Sequence, residues 1–298
     1  MDQLKSGKAM FIVALLVFGM FWGTSVPLNK MIVETGYRHF GILFWQMTIS
    51  FGFLSGIILL AGGKPRIELR HWRVYLALAA LGTVLPNIAT YAAAPHLQGG
   101  VMAVLISLVP MFAFPMAVAL KMEQFSWRRF IGLLVGLTAV VVLMAPEISS
   151  AEDTKLVFIL LAMVPAAFYA MEGNYVAKLG IADLRPIEAL LGASLLGAAV
   201  SLPLALMTGE FISPIGPYVR ADYALVAASM INVLIYVGYV WLVGQAGAVF
   251  ASQVAYLVTI SGVIWSIVLL GERYSGELWI ALSLVLVGVF LVQPRDET

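Results

Sequence analysis

This chain has no cysteine, only three histidines and few charges, with Asp, Glu, Lys and Arg together making up 11% of its 298 residues. Each scarcity excludes something. Without cysteine there is no disulfide, no thiolate metal site and no cysteine nucleophile. His39, His71 and His96 lie at separate predicted span ends with no ligand spacing between them, so no metal is expected. A net charge of +1 gives no electrostatic reason to bind nucleic acid. The Gly-Lys pair in Gly62-Gly63-Lys64-Pro65 lacks the spacing of a phosphate-binding loop. No cofactor is expected, and any work the chain does must draw on a gradient.

What the chain has in excess is apolar side chain. It is 62% hydrophobic, with a mean hydropathy of +0.99, which is outside the range of a soluble globule. A membrane span needs about 20 mainly apolar residues. Ten such stretches are read near 9–32, 40–61, 73–93, 98–120, 127–145, 156–178, 186–208, 222–243, 248–270 and 277–293. They must be helices, because isolated strands would leave backbone polar groups unpaired in hydrocarbon. The fold class expected is therefore all-α integral membrane. The first stretch is too long for a signal-peptide core and has no small-residue cleavage site, so it reads as a retained span. The linkers are too short to hold a soluble domain.

Residues 98–143 and 247–292 repeat one pattern at an offset of 149 positions. In each copy an apolar span ends at a turn acid, Glu123 or Glu272, and the next span opens seven residues later, at Phe130 or Trp279. The same offset carries Thr83, Asn87 and Thr90 onto Asn232, Tyr236 and Tyr239, and Ser107 onto Tyr256. A repeat of this length built from spans marks a transporter made of two related halves, residues 1–146 and 147–298, forming one integrated domain. Five spans per half is odd, so the second half enters the membrane from the opposite side. Basic residues concentrate on one side if the N-terminus is cytoplasmic: Lys64, Arg66, Arg70 and Arg73, then Lys121, Arg128 and Arg129, among others. Both termini are therefore expected inside.

Glu172 is the most costly residue to place, since an acid near a span centre costs roughly 2.5–3.5 kcal/mol. It lies in the sixth span, about five residues to the cytoplasmic side of its middle. It reads either as a proton-coupling group or counter-charge for a substrate ammonium, or as a hydrated or paired acid near the cytoplasmic mouth. The second signal is a set of polar and aromatic stripes. Thr83, Asn87, Thr90 and Tyr91 share one helical face, as do Asn232, Tyr236 and Tyr239, while Gln253, Tyr256, Ser261 and Trp265 follow one another on the ninth span. They line a shared path or act as interhelical hydrogen-bond glue. The expected cavity wall is Trp22, Asn87, Tyr91, Ser107, Glu172, Asn232, Tyr236, Tyr239, Tyr256 and Trp265, with Trp22 and Trp265 giving apolar contact. Pro86, Pro110 and Pro115 interrupt the helices carrying the polar face and serve as hinges or fixed kinks. The pairs Gly19/Gly23, Gly52/Gly56 and Gly132/Gly136 read as packing surfaces.

Phe21-Trp22-Gly23, the stretch from Gly99-Gly100 to Leu108-Val109-Pro110, the turn acids Glu123 and Glu272, and above all Leu270-Gly271-Glu272-Arg273-Tyr274-Ser275 carry a family resemblance. The chain resembles the drug/metabolite transporter superfamily, in particular its ten-span EamA-type members, and is most similar to bacterial amino-acid exporters. The resemblance implies a cavity walled by the first four helices of each repeat, with the fifth and tenth outside. It also implies an inner-membrane exporter of small organic metabolites, amino acids foremost, working by alternating access as the halves rock. The partners expected are a small-molecule substrate and lipid. The turn acids read as residues that set helix ends. An exchanger of organic phosphates or nucleotide sugars would call for a cluster of intramembrane Lys or Arg, which the chain lacks, since Lys30 and Lys178 sit near span ends and can snorkel. A passive facilitator is a further alternative. No paired acids, His cluster or nucleophile motif share a membrane depth, so no enzyme activity is expected.

Overall fold

The computed structural model describes residues 2–149, 153–246, 251 and 253–292, and no strand occurs among the described residues. In chain order the α-helices are α1 (Asp2–Gly23), α2 (Ser25–Val33), α3 (His39–Leu60), α4 (Trp72–Ala79), α5 (Leu85–Ala93), α6 (Gly99–Ile106) and α7 (Val109–Ala119). They continue with α8 (Trp127–Ser149), α9 (Asp153–Leu179), α10 (Pro186–Met207), α11 (Arg220–Ala246), α12 (Val254–Leu270) and α13 (Gly276–Val292). Seven helical stretches are long and apolar enough to cross a membrane: Met10–Val33, His39–Leu60, Leu69–Ala93, Gly99–Ala119, Leu156–Leu179, Pro186–Met207 and Arg220–Ala246. Val254–Leu270 and Gly276–Gly288 are shorter apolar helices. Large apolar side chains such as Val13, Leu134, Val268 and Phe290 stand exposed on the outer surface. That pattern suits a lipid solvent and would be an aggregation hazard in water.

Three stretches read from the sequence as continuous spans are broken, each by a proline that removes one helical hydrogen bond. Pro27 leaves the Gly23 carbonyl without its usual donor, and α1 gives way to α2 at Thr24. At this break the hydroxyls of Thr24 and Ser25 donate to the Phe21 and Trp22 carbonyls at 2.6 Å each. Pro86 has no N–H for the Gly82 carbonyl, and the chain widens to a π-turn over Ala80–Val84, where the Leu85 N–H reaches the Ala80 carbonyl. Such π-turns recur at functional sites. Pro110 leaves the Ile106 carbonyl unserved, and α6 tightens into Ser107-Leu108 before α7 begins. Pro115, expected to interrupt its helix like the other two, lies inside an unbroken α7.

The helices interlock rather than segregate by sequence half. The most extensive contacts pair α8 with α13, α3 with α10, α1 with α12, α4 with α10, α5 with α9, α6 with α12, and α2 with α11. Small residues set two of these contacts. On α1, Gly19 and Gly23 lie against Leu257 and Ser261-Gly262, and Gly288 of α13 sits over the backbone of Gly132 and Gly136. A Cβ at Gly52 or Gly56 would meet nothing within 4 Å, so that pair packs against no other helix among the described residues.

Candidate functional site

The three breaks converge on a cavity of about 130 Å³. Its wall draws on α1–α2, α3, the π-turn with α5, and α6–α7, and equally on α9, α10, α11 and the start of α12. Among the described residues, α8 and α13 contribute nothing to it.

Glu172 of α9 is the carboxylate in the wall, 2% exposed. The Tyr236 hydroxyl, reaching across from α11, donates to its Oε1 at 2.5 Å and also lies 3.5 Å from the Leu78 carbonyl. A charge-assisted bond of this kind is what lets a lone carboxylate stay buried. The contact depends on Gly82 in the π-turn, because a Cβ there would run into the Tyr236 hydroxyl and come within 3.0 Å of the Glu172 carboxyl carbon. Around this pair stand aromatic rings. The Trp22 ring lies 5.5 Å from Tyr239, edge-on, and 6.2 Å from Tyr236, while Tyr169 joins the wall one turn before Glu172. No Lys, Arg or His side chain lines the cavity among the described residues.

A second cluster is built from amides. Gln46 of α3 accepts from the Tyr91 hydroxyl at 2.9 Å and from Asn87 Nδ2 at 3.3 Å. The amide oxygens of Asn29 and Asn232, both in the wall, are buried without a hydrogen-bond partner. Among the described residues, no three His, Asp or Glu side chains gather where a metal ion could be held.

Six of the residues expected in the wall line it: Trp22, Asn87, Glu172, Asn232, Tyr236 and Tyr239. Four do not. Tyr91 is sealed behind Gln46, to which its hydroxyl points. Ser107 is fully buried in the break at Pro110, where its hydroxyl donates to the Val104 carbonyl. Tyr256 packs against the larger apolar core, because Val254, Ala255 and Val258 carry the cavity face of α12 and residue 256 falls about 200° from 254. Trp265 donates from Nε1 to the Met20 carbonyl at 3.2 Å and so joins α12 to α1. Conversely, Gln46, Ser25, Asn29, Tyr169 and Ser194 line the wall without having been picked out from the sequence. For Gln46 the signal was present as the single amide of the second span.

At one end of the bundle a polar knot ties distant segments together. Lys30 at the end of α2 donates to Glu272 Oε1 at 2.8 Å and to the Leu97 carbonyl at 3.1 Å. The Gly99 N–H donates to the same carboxylate oxygen at 3.0 Å, the Tyr274 hydroxyl to Oε2 at 2.5 Å, and the Gly100 N–H to Tyr274 at 2.9 Å. Burial raises the Glu272 carboxyl, but the bonds from Lys30, Tyr274 and Gly99 and the Lys30 charge outweigh it, leaving the group below its usual range. The Tyr274 hydroxyl is pushed up, by burial first and then by the adjoining carboxylate. Glu272 is thus more than the helix-end residue read from the sequence. Its counterpart Glu123 pairs with Arg129, and Lys178 donates to the Leu120 carbonyl at 3.3 Å.

Comparison with known proteins places this geometry. The model of the EamA-like transporter family matches the chain twice, over residues 9–145 and 155–293. An uncharacterized transporter of Archaeoglobus fulgidus is 23% identical over 286 residues, covering 96% of this chain and 98% of its own. A solved crystal structure superposes with a TM-score of 0.65 at 18% identity, covering 95% of this chain and 97% of the other, which is a likeness of fold. With the family model spanning nearly its whole length and apolar helices throughout, this multi-pass membrane protein belongs to the EamA-like transporter family.

Proposed function

We propose that the chain is a secondary transporter that moves small amine-bearing metabolites, amino acids among them, out of the cell across a bacterial inner membrane by alternating access. The observation that carries this reading is the cavity, enclosed between helices of both family-matched segments and holding one acid among aromatic and amide side chains. On this reading ten spans form two inverted five-helix repeats, residues 1–146 and 147–298, with both termini cytoplasmic. The double family match supports it, as does the wall, with four helices from each segment facing the cavity while α8 and α13 pair outside. Discontinuous helices at a central site are a recurring feature of such carriers.

The moving parts differ from two halves rocking as rigid bodies. That motion would separate α1 from α12, α3 from α10, α5 from α9 and α8 from α13, all of which join the halves. On this reading the joints are instead the breaks at Thr24, the π-turn and Ser107-Leu108, where the helices are already interrupted. Lys30 and Glu272 hold the outer end shut in this conformation. Glu123 and Glu272 lie 149 residues apart, and Lys30 and Lys178 lie 148 apart, so each half carries an acid and a lysine at matching places. In the opposite conformation Lys178 and Glu123 close the inner end in the same way. Glu172 then serves as counter-charge to the substrate amine.

Counterflow tests the proposal. Proteoliposomes preloaded with unlabelled amino acids and amines should accumulate the labelled solute transiently, because one moving site couples the two fluxes. Equilibration without accumulation would leave a passive facilitator. An exchanger of organic phosphates is disfavoured by a wall without a cationic side chain among the described residues.

A further inference from the structure

The charge of the cavity has one sign. Among the described residues Glu172 is its only charged side chain, and Tyr236 supplies a single hydrogen bond to a carboxylate that has room for about four. The amide of Asn87 that faces Gln46 is already used, donating to its oxygen, which the Tyr91 hydroxyl shares. What the wall asks of a ligand is therefore positive charge with N–H donors for Glu172. The rings of Trp22, Tyr169, Tyr236 and Tyr239 beside the carboxylate present π-faces and edges on which an ammonium or guanidinium and its apolar body can rest. A substrate carboxylate, by contrast, would find no cation in the wall among the described residues and would share a small space with Glu172.

Resting on the transport reading above, we infer that the site selects compact organic monocations, a primary ammonium or guanidinium on an apolar body, over zwitterions of the same shape. Within the amine-bearing class, decarboxylated or amidated solutes are preferred to free amino acids. Glu172 takes the charge and its N–H groups, and Trp22 with Tyr239 holds the apolar part. The size of the cavity, about 130 Å³, suits a body of a few carbons and not a polycyclic one.

Isopentylamine, leucine and 4-methylpentanoate share one branched chain and are respectively a cation, a zwitterion and an anion near neutral pH. Titration calorimetry on the purified full-length protein should find the amine bound at least about tenfold more tightly than leucine, with no binding of the acid. Glu172→Gln should weaken amine binding on the order of tenfold to a hundredfold. Glu172→Asp keeps the charge and should retain part of the affinity, which separates loss of charge from loss of fold. Leucine bound as tightly as the amine, or the amine bound equally by Glu172→Gln, would overturn the inference. Counterflow of the same three solutes keeps the two proposals apart. Flux of leucine or of 4-methylpentanoate without flux of the amine would sink the cation site and leave the carrier standing. Glu172-dependent amine binding with no counterflow of any solute would uphold the site and remove the transport reading.

Discussion

On the alternating-access proposal, replacing Glu272 by Gln should loosen the end of the bundle where Lys30 pairs with it. The exchange keeps the shape of the side chain and removes its charge. Lost are the ion pair to Lys30, with side chains 15% and 10% exposed, and the charge assistance in the bonds from Gly99 and Tyr274. A hydrogen bond to a charged group contributes about 1.5–3 kcal/mol and a neutral one about 0.5–1.5. Partial exposure reduces the difference, so the closed state should lose about 1–2 kcal/mol, equivalent to roughly a five- to thirtyfold shift in population. The native chain contains no cysteine, so a single introduced thiol is a unique label. With Ser25→Cys in the cavity wall, an impermeant maleimide added from the Lys30 side should react faster in the Glu272→Gln background by about that factor. Lys30→Met should give a similar increase, and the double variant should add little to either, because both remove one contact. The pH dependence has a definite sign. A carboxyl depressed in the folded protein stabilises above its unfolded value and is lost as pH falls through the folded one, and Glu272 lies below its ordinary 4.5. Divided by the rate of a free thiol with the same maleimide at each pH, labelling of the otherwise native protein should therefore be flat from about pH 8 to about pH 5 and rise only in stronger acid. Equal labelling rates with and without the Glu272 charge, in protein of unchanged melting temperature, would refute the reasoning.

Three other perturbations follow from the same geometry. Gly82→Ala places a methyl group against the Tyr236 hydroxyl and the Glu172 carboxyl carbon, so solute binding should fall on the order of tenfold, with overpacking costing about 1–3 kcal/mol of stability. Gln46→Leu strands the Tyr91 hydroxyl and an Asn87 N–H in the interior at about 1–3 kcal/mol each, and a lowered melting temperature in detergent would register it. Pro86→Ala restores a donor to the Gly82 carbonyl and favours an ordinary α-turn over the π-turn, so counterflow should slow while the folded protein keeps its stability. An unchanged rate would remove that joint from the mechanism.

How much of this was legible in the sequence depended on the reach of each signal. The stripes on the third and eighth spans put Asn87, Asn232, Tyr236 and Tyr239 in the wall because helical periodicity is local and rigid, so residues four apart keep a common face. The same rule misled at Tyr91, Ser107, Tyr256 and Trp265. A face need not touch the cavity along its whole length, and the breaks at Pro86, just before Asn87, and Pro110, just after Ser107, turn the chain in ways that spacing does not encode. Gln46 was passed over because a lone amide in an apolar run has no periodic partner, and its partners Tyr91 and Asn87 are more than 40 residues away.

The sequence by itself determined the solvent, the all-helical class and the presence of one expensive acid. Hydropathy and backbone hydrogen bonding are summed over neighbouring residues, and a charge in an apolar run needs no tertiary structure to be noticed. Only the tertiary structure decided what that acid meets, since Tyr236 lies 64 residues from Glu172 and Trp22 lies in another helix again. It also decided that Lys30, read locally as a snorkelling cation, and Glu272, read as a helix-end residue, form one ion pair across 242 residues. Pairing at such separations is fixed by how interlocked helices pack, an interaction among surfaces that no single stretch of the chain contains.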